Sequence, residues 1–412
     1  GASVLLTTDD FLSAENVQGH GGAVNIVSVS QVSAAATPST LQSAADIRSR
    51  AYILFTSGST GKPKGVELSH EAVLTSLYWM TEHPTIVCDS SLRWLQTTTY
   101  TFDVSVPEIF VPLCVGGVVV LTKQDALLDM DYLSQTLRAE RPTLWAMVPS
   151  VLSLYLEEHT IPSTLCDVQP GGEALSIETC RRFFTRCEGS TRLWDVYGPT
   201  EAAVYATEMP ITETLVNTAS SIPIGKPLPR HTVHIVDSHM QVVGIGVPGE
   251  LLLGGCCLAE GYCGRPDLTD KAFIHWSATT NEQKQRVYRT GDLCRWLPDG
   301  TIGFMGRIDH QVKLRGFRIE LGEIESVAAE ADGVREAVAI VREDTPGAQR
   351  IVLYVAPSTV DVSAVLSACK EKLAHYMVPS AAVVLDEWPR TSSGKIDRTK
   401  LPAPAAALGE AE

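Results

Sequence analysis

One segment constrains the fold of this chain more than any other: a strand-like apolar run that ends abruptly in a loop of glycine, hydroxyl and lysine residues. The run Tyr52–Gly65 reads YILFTSGSTGKPKG. Backbone N–H groups, hydroxyls and ammonium groups in such a loop can all point at one anion, and a phosphate chain fits them best. Ser69 suits the N-cap of a helix that begins near His70. The segment therefore predicts a strand, a phosphate-binding loop and a helix in succession.

The loop differs from a Walker A loop. The pattern G-x-x-x-x-G-K-[ST] needs a longer spacing than the two residues that separate Gly58 from Gly61. Pro63 also stands where the pattern requires Ser or Thr. The segment indicates nucleotide chemistry outside the common P-loop class, and the alternative is a solvated glycine-rich turn.

Length and composition fit a globular protein of roughly two or three domains. The chain has 412 residues, of which 44% are hydrophobic and 20% are charged. Its net charge of -15 argues against general affinity for nucleic acid or for an anionic membrane. The apolar stretches are too short to span a bilayer, and the N-terminus has no basic segment followed by an apolar one. We therefore predict no nucleic-acid partner and no membrane partner.

Cysteine and histidine residues show no metal-binding pattern. The ten cysteines are dispersed without a Cys-x-x-Cys pair, which fits a reducing cytosol. The ten histidines show no ligand spacing. We predict a cytoplasmic protein with no metal held by its own residues alone.

The pattern of elements changes twice along the chain. Residues 1–22 read as a strand and a polar loop, and residues 23–50 as a weakly specified connector. Short apolar strands then alternate with helices as far as Val148, which indicates a largely parallel sheet. Strand-like pieces become dense after about residue 220. A small α+β unit follows Asp309.

The predicted fold class is α/β, with a large multi-layer part and a small lid. We expect the large part at residues 1–309, with a β-rich portion at about 220–309. The α+β lid is expected at 310–402 and a linker tail at 403–412. Within the large part, Gly117–Leu121 is predicted to be a short buried strand.

Asp103 lies between apolar residues in the run FDVSVPEIF. A carboxylate is costly to bury there unless it meets a cation or several donors, and a substrate ammonium group is one candidate. The alternative is a helix N-cap, because Asp followed by VSVPE suits a helix start. The residues alone leave both interpretations open.

Two further glycine-marked strand ends carry polar side chains, Gly171–Ala174 (GGEA) and Asp195–Glu201 (DVYGPTE). Tyr197 suits stacking on a base. Thr200 and Glu201 suit a magnesium–phosphate group, because Mg²⁺ prefers oxygen ligands. The alternative is a Gly-Pro turn with a solvated Thr-Glu pair.

Three more candidates lie further along the chain. Asp292 follows a glycine turn, where it can accept hydrogen bonds from ribose hydroxyls or serve as a structural turn residue. The segment Gly306–Glu325 is dense in charge, and a solvated face explains Arg315 and Arg318 but explains its glycines poorly. Lys395 lies in a loop near the C-terminus, where it can deliver a point charge or be a plain surface lysine.

Taken in order, these segments resemble the adenylation domains of nonribosomal peptide synthetases, within the adenylate-forming superfamily. The resemblance rests on YILFTSGSTGKPKGVELSH, FDVSVPEIF, GGEAL, VYGPTEAAVYAT, GELLLGG, YRTGDL, GRIDHQVKLRGFRIELGEIE and PRTSSGKIDR, and runs from about residue 50 to residue 402. It implies the acyl-adenylate-forming enzyme fold with a mobile lid. Compared with that family the chain begins late, so the N-terminal segments are expected to be missing.

The resemblance implies a reaction in two steps. An amino-acid carboxylate attacks the α-phosphorus of ATP, with Mg²⁺ bound to the nucleotide, and gives an aminoacyl-adenylate and pyrophosphate. The thiol of a phosphopantetheine arm then takes the acyl group. The implied partners are the amino-acid substrate and the carrier and condensation domains of one synthetase.

The resemblance also implies a nucleotide site. The Thr56–Lys64 loop covers the β- and γ-phosphates, Tyr197 stacks near adenine, and Asp292 holds the ribose hydroxyls. Asp195, where the family often has Asn, can still accept the adenine amino proton. The implied cofactor-binding residues are Thr56, Ser57, Gly58, Ser59, Thr60, Gly61, Lys62, Lys64, Gly172, Glu173, Asp195, Tyr197, Asp292 and Arg307.

Three residues are implied in catalysis. Lys395 bridges the substrate carboxylate and the α-phosphate, Thr200 contacts the phosphates, and Glu201 helps to hold Mg²⁺. Asp309 matches the hinge of the lid. Lid rotation would withdraw Lys395 and bring Lys313–Gly316 towards the carrier arm.

By the same resemblance, Asp103 pairs with the α-ammonium group of the substrate. The other implied substrate-binding positions are Val104, Pro107, Ala146, Gln169, Gly171, Val196, Val204 and Tyr205. Ala146 and Gly171 leave room, whereas Gln169 and Tyr205 add polar contacts. We expect an α-amino acid with a sizeable, partly polar side chain, such as an acylated hydroxyornithine or an aromatic residue.

Two alternatives stay open. The first is an acyl- or aryl-CoA ligase of the same superfamily, against which Asp103 and the wording LRGFRIELGEIE argue. The second is an inactive synthetase module, and four intact residues argue against it: Lys395, Asp292, Glu201 and Asp103.

Overall fold

A computed structural model describes residues 46–57, 63–279, 283–309, 311–344, 349–390 and 396–404, and the backbone of residues 4–7 and 25–28. The strands, numbered in chain order, are β1 (Val4–Thr7), β2 (Asn25–Ser28), β3 (Arg50–Thr56), β4 (Lys64–Ser69), β5 (Arg93–Gln96), β6 (Val118–Leu121), β7 (Leu144–Met147), β8 (Asp167–Pro170), β9 (Arg192–Tyr197), β10 (Thr207–Ile211), β11 (Lys226–Pro227), β12 (His231–Val236), β13 (Gly249–Gly255), β14 (Gly261–Tyr262), β15 (Phe273–Trp276), β16 (Gln285–Trp296), β17 (Ile302–Arg307), β18 (Gln311–Leu314), β19 (Phe317–Glu320), β20 (Glu336–Glu343), β21 (Gln349–Ala356) and β22 (Ala381–Val384). The α-helices are α1 (His70–Thr81), α2 (Ser105–Val115), α3 (Met130–Glu140), α4 (Pro149–Glu158), α5 (Ile177–Arg186), α6 (Glu213–Thr218), α7 (Pro266–Ala272), α8 (Leu321–Ala329) and α9 (Val362–Lys372).

The chain divides into two compact units, residues 1–46 and residues 47–412. In the first unit, β1 and β2 pair in parallel, with Val4 opposite Asn25. The strand predicted within residues 1–22 is confirmed. The predicted connector at 23–50 is wrong at β2, because the β-forming pair Ile26-Val27 outweighs the Ser- and Ala-rich sequence around it.

A seven-stranded sheet organises the second unit. Its strand order is β11-β10-β9-β8-β7-β5-β6. The strands from β5 to β9 run parallel, whereas β10 and β11 are antiparallel additions at one edge. The predicted α/β class with a largely parallel sheet is confirmed.

Helices cover both faces of this sheet. Alternate residues of β7 point to opposite faces, so that Trp145 and Met147 pack with α3, α4 and α5. Leu144 and Ala146 pack on the other side with α1 and α2. Helix α1 begins at a side-chain cap, because the Ser69 hydroxyl accepts a hydrogen bond from the Ala72 N–H. The sequence predicted Ser69 as this N-cap.

Two local predictions are corrected. The loop predicted between Tyr52 and His70 includes a second strand, β4, which pairs with β3 and with β14. The segment Gly117–Leu121 does form strand β6, but it is an edge strand, and Leu121 is 72% exposed.

The predicted β-rich portion is confirmed. Strands β12, β13, β16 and β15 form an antiparallel sheet, and β17 pairs with β16. Neither β15 nor the twelve-residue β16 was predicted. Polar residues obscure the apolar alternation of β16, and β15 is only four residues long.

The helices and strands predicted for the α+β lid are also present. Strands β20, β21 and β22 form a sheet, and α8 and α9 pack on one face of it. Before it comes a two-stranded hairpin, β18–β19, that was not predicted; we call residues 311–320 the docking hairpin. The boundary at residue 309 stays a prediction. Among the residues described, no helix is both long enough and apolar enough to cross a membrane.

Candidate active site

The predicted substrate-binding positions meet beside the parallel sheet. Ala146 lies opposite Gln169 in the β7–β8 ladder, and Gly171 forms a bridge with Val196. Pro107 is buried in the first turn of α2. The positions that share one apolar cluster with Trp79 are Val104, Ala146, Val196, Val204 and Tyr205. Residues far apart in sequence therefore form one wall, because three parallel strands end, and α2 begins, at the same place.

A strained turn forms part of this wall. Val204 has φ 79°, which is rare for a β-branched residue. The Tyr205 N–H donates to the Ala203 carbonyl (3.1 Å), which makes Val204 the centre of a γ-turn. Gly198 makes this turn possible, since a Cβ there would lie 2.3 Å from the Val204 carbonyl oxygen. Sequence reasoning gave no signal of this strain, which marks functional sites more often than chance.

Asp103 lies just before α2 but does not cap it. The N-cap position is Val104, which has no side-chain cap. The Asp103 carboxyl instead accepts a hydrogen bond from Thr200, and Lys313 and Glu201 lie within electrostatic range. Burial raises the pKa of Asp103, and the Thr200 hydrogen bond opposes that rise. The N-cap alternative is thus excluded, and a half-buried carboxylate remains that an ammonium group could stabilise.

The residues predicted to bind adenosine form a second cluster. Asp292 and Arg307 face each other across β16 and β17. The Tyr197 hydroxyl donates to Asp292 Oδ2, and Arg307 Nη1 donates to Asp292 Oδ1 (2.8 Å). Arg307 also makes a bidentate pair with the predicted hinge residue Asp309, with both distances 2.7 Å.

A lysine of the lid joins these clusters. The Lys313 ammonium lies 5.4 Å from the centroid of the Tyr197 ring. It interacts electrostatically with Asp292 and Asp103, and with the buried Asp195. Burial lowers the pKa of Lys313, while the carboxylates around it oppose that shift. The Lys313 ammonium therefore lies near the positions predicted to bind the substrate ammonium group, the adenine and the ribose.

Glu173 follows Gly172, whose φ of 88° requires glycine. One Glu173 carboxylate oxygen accepts the Ser150 N–H (3.1 Å). The other accepts the Gly316 N–H (2.6 Å), at the turn of the docking hairpin. Glu173, an implied cofactor-binding residue, thus holds the lid in this structure.

Glu201 is fully buried, and three side chains hold its carboxylate. Its Oε1 accepts from the Tyr262 hydroxyl (2.7 Å) and pairs with Lys64 Nζ (3.2 Å). Its Oε2 pairs with Arg318 Nη1 (2.7 Å). Burial alone would raise the pKa of this carboxyl, but the Arg318 guanidinium and the Lys64 ammonium outweigh it and hold the pKa below its ordinary value. An ionised carboxylate of this kind fits the hard-oxygen chemistry of Mg²⁺.

The phosphate loop is described only at its ends. Thr56 has a buried hydroxyl without a partner among the described residues, and the Ser57 hydroxyl donates to the Arg318 carbonyl (2.6 Å). Five predicted residues of this loop lie outside the described residues, namely Gly58, Ser59, Thr60, Gly61 and Lys62. The predicted catalytic residue Lys395 also lies outside them.

Sequence reasoning missed two contributors to the site. Tyr262, in the short strand β14, reaches Glu201. Arg318 was interpreted as part of a solvated charged face, which is correct for the exposed Arg315 but wrong for Arg318. The alternation of β19 was the available signal, because it places Arg318 and Glu320 on the face opposite the buried Ile319.

Comparison with known proteins supports the resemblance. The family model described as AMP-binding enzyme matches residues 1–263, and that of the AMP-binding enzyme C-terminal domain matches residues 323–395. Tyrocidine synthase 3 of Brevibacillus parabrevis is 39% identical over 364 residues, 88% of this chain and 6% of that protein. Bacitracin synthase 1 of Bacillus licheniformis is 40% identical over 371 residues, 90% of this chain and 7% of that protein. The chain thus spans a small part of these relatives.

Solved structures agree with the sequence matches. Holo-PA1221, a nonribosomal peptide synthetase protein containing adenylation and carrier (PCP) domains, has a TM-score of 0.80 at 27% identity, over 93% of this chain and 64% of that chain. Holo-AB3403, a four-domain nonribosomal peptide synthetase bound to AMP and glycine, has a TM-score of 0.64 at 32% identity, over 99% of this chain and 30% of that chain. Sequence and fold together place this chain in the AMP-binding enzyme family, among the adenylate-forming enzymes.

Proposed function

We propose that this chain is an adenylation domain of a nonribosomal peptide synthetase. It activates an α-amino acid with ATP to an aminoacyl-adenylate and pyrophosphate, and then passes the acyl group to the phosphopantetheine thiol of a carrier domain. The observation that carries the proposal is the meeting of three carboxylates from distant segments, Asp103, Glu201 and Asp292, around the cations Lys313 and Arg318. Asp103 suits an ammonium group, Glu201 suits a metal–phosphate group, and Asp292 suits a ribose.

In the first step a carboxylate oxygen of the amino acid forms a bond to the α-phosphorus, and the bond from that phosphorus to the leaving pyrophosphate breaks. Asp103 orients the substrate through its ammonium group. Glu201 would hold Mg²⁺, which neutralises phosphate charge when bound. Lys64 adds a buried positive charge beside Glu201. Lys395 is proposed to bridge the reacting carboxylate and the α-phosphate.

In the second step the phosphopantetheine thiolate attacks the acyl carbon, and AMP leaves. The lid position supports this part of the proposal, because the docking hairpin lies against the site through Gly316 and Arg318. This is the contact expected when Lys313–Gly316 face the carrier arm. The proposed partners are a carrier domain and a condensation domain of the same synthetase. All ten cysteines are free, which is consistent with the cytoplasmic location that we propose.

The side-chain pocket supports a partly polar substrate. Gln169 and Tyr205 are 1% and 3% exposed, and within the described part of the chain the Gln169 amide oxygen and the Tyr205 hydroxyl have no hydrogen-bond partner. Buried polar atoms of this kind are normally satisfied. A side chain with hydrogen-bonding groups, such as an acylated hydroxyornithine or an aromatic residue with a polar substituent, would satisfy them.

ATP–pyrophosphate exchange with a panel of acids tests the proposal. We expect exchange with at least one α-amino acid, and a loss of at least about a hundredfold in the Asp103→Ala variant, because a buried ammonium group would lose its counter-charge. Exchange stimulated only by fatty or aryl acids would instead support a CoA ligase. Exchange with no acid at all would support an inactive module.

A further inference from the structure

We propose that helix α1 supplies a wall of the side-chain pocket, and that Trp79 in this wall is a specificity-determining residue for a neutral amide side chain. The inference rests on the proposed function and names the class of α-amino acid that the adenylation domain takes. The substrate-binding positions predicted from the sequence assign no such role to α1.

Three buried residues form one stripe on α1. Ser76, Trp79 and Met80 have the spacing i, i+3, i+4, which places them on the same face of the helix. The Trp79 ring meets the Tyr205 ring edge to face, with the ring centroids 5.5 Å apart. The Met80 sulfur accepts a hydrogen bond from Gln169 Nε2 at 3.9 Å. Helix α1 therefore contacts both polar residues of the predicted side-chain pocket.

A histidine just after α1 holds the Trp79 ring. The two rings pack edge to face, and the centroids of Trp79 and His83 lie 5.7 Å apart. The Thr85 and Ile86 N–H groups both donate to His83 Nδ1. His83 Nε2 therefore carries the ring proton and donates to Glu208 Oε2 at 3.0 Å. These contacts hold the indole in one position, which a selective recognition site requires.

The wall carries polar atoms that no described residue satisfies. Trp79 is 5% exposed, and its Nε1–H has no hydrogen-bond partner among the described residues. The Gln169 amide oxygen and the Tyr205 hydroxyl share this property. A thioether sulfur accepts and cannot donate, so the Gln169 nitrogen faces Met80 and the oxygen is the atom left over. Because buried polar atoms are normally satisfied, we expect the substrate to supply the partners.

The chemistry of these atoms selects the class of side chain. The Trp79 N–H can only donate, whereas the Gln169 oxygen can only accept. The substrate side chain must therefore accept and donate, as an amide does with its carbonyl oxygen and its N–H. An acylated hydroxyornithine does the same with its carbonyl oxygen and its N–OH group. A phenol offers a single oxygen for both bonds.

Other side chains leave at least one of the two atoms unpaired. A hydrocarbon chain satisfies neither of them. An ammonium group cannot accept from Trp79, and a carboxylate cannot donate to Gln169. The carboxyls of Glu108 and Asp103 also lie within electrostatic range of Tyr205, which disfavours a further negative charge in the pocket.

ATP–pyrophosphate exchange with shape-matched amino acids tests the class of substrate. Asparagine is compared with aspartate and leucine, and glutamine with glutamate and homoleucine. Citrulline, Nδ-acetylornithine and its Nδ-hydroxy form are compared with ornithine. We expect one amide to give the highest kcat/KM, about a hundredfold above its matched partners, because each unpaired buried group costs about tenfold.

Two variants test the residues that we assign. Trp79→Phe removes the indole N–H and keeps an aromatic ring. Its kcat/KM for the preferred amide should fall about tenfold, whereas that for the best hydrocarbon amino acid and the KM for ATP should change less than about twofold. Gln169→Met removes the amide oxygen and should give the same pattern independently, because its side chain can still pack against Met80.

Trp94→Phe is the matched control. The buried Trp94 indole N–H likewise has no partner among the described residues. Trp94 lies in β5, however, which carries no predicted substrate-binding position. We expect this variant to keep the wild-type ratio of kcat/KM between the amide and the hydrocarbon.

The outcomes separate this inference from the proposed function. A hydrocarbon, hydroxylated or charged amino acid with the highest kcat/KM would overturn the inference and leave the proposed function standing. A Trp79→Phe variant that lowers exchange with the amide and with the hydrocarbon equally would also overturn it. Exchange with no amino acid at all would contradict the proposed function itself, and the inference would fall with it.

Discussion

At the scale of single residues, the pocket depends on a close backbone approach at Gly198. Any Cβ there would lie 2.3 Å from the Val204 carbonyl oxygen, which belongs to the strained turn of the pocket wall. We expect Gly198→Ala to reduce the free energy of unfolding by about 3 kcal/mol and to raise the KM for the amino acid in pyrophosphate exchange. The control is Gly322→Ala in α8, where a Cβ meets no described atom within 4 Å. Its stability should rise by about 0.5–1 kcal/mol. Equal effects of the two variants would contradict this account.

Glu108 gives the protein a predicted pH dependence. It is 0% exposed, and burial raises its pKa from 4.5 to about 8, although Thr98 and Gln96 donate to it. The folded state therefore keeps the proton between these two values, while the unfolded state releases it. Glu108 thus makes stability fall as pH rises from 4.5 to about 8, by up to about 1.4 kcal/mol per pH unit. Chemical denaturation of Glu108→Gln across this range should lack that decline, whereas the exposed Glu158→Gln should keep it.

At the scale of elements, the docking hairpin depends on its turn. Gly316 has φ 79°, and a Cβ there would lie 2.5 Å from Val148 Cγ1. In Gly316→Ala we expect undocking, so that loading of a carrier domain falls at least tenfold while pyrophosphate exchange changes less than twofold. Gly333→Ala is a matched control, because it has φ 81° but no described atom within 4 Å of its Cβ. Loss of loading in both variants would mean that backbone strain, not docking, is responsible.

The sequence predicted elements well where local pattern decides them. Alternating apolar strands and a capping Ser69 indicated the parallel sheet and α1, because side-chain period and capping are local properties. Contacts between distant segments are not local properties, and the sequence pattern did not predict them. The pairing of Arg318 with Glu201 joins residues 117 positions apart and needs a folded lid. The exposure of β6 likewise depends on its edge position in the strand order. Only the resemblance to a family predicted that the distant site residues act together.

At the scale of the whole molecule, the apolar cores do not cross the predicted boundary at residue 309. Among the described residues, the clusters of the lid use side chains from Val312 to Leu401, whereas those of the large part end at Phe304. The described contacts across the boundary are mainly polar, except for Phe102 against Phe317. We therefore expect the lid to unfold separately from the large part, as folding units with their own cores do.

A pair of matched core truncations tests this expectation. Leu353 in the lid and Leu133 in the large part are both 0% exposed, and each Leu→Ala change should cost about 2–5 kcal/mol. Differential scanning calorimetry should show two transitions in the wild type. Leu353→Ala should lower the midpoint temperature of the lid transition alone. Leu133→Ala should lower that of the large part's transition alone, because each cavity lies in a separate core. A single transition that both variants lower equally would place one cooperative core on both sides of residue 309, and the lid would then have to rotate without being a folding unit of its own.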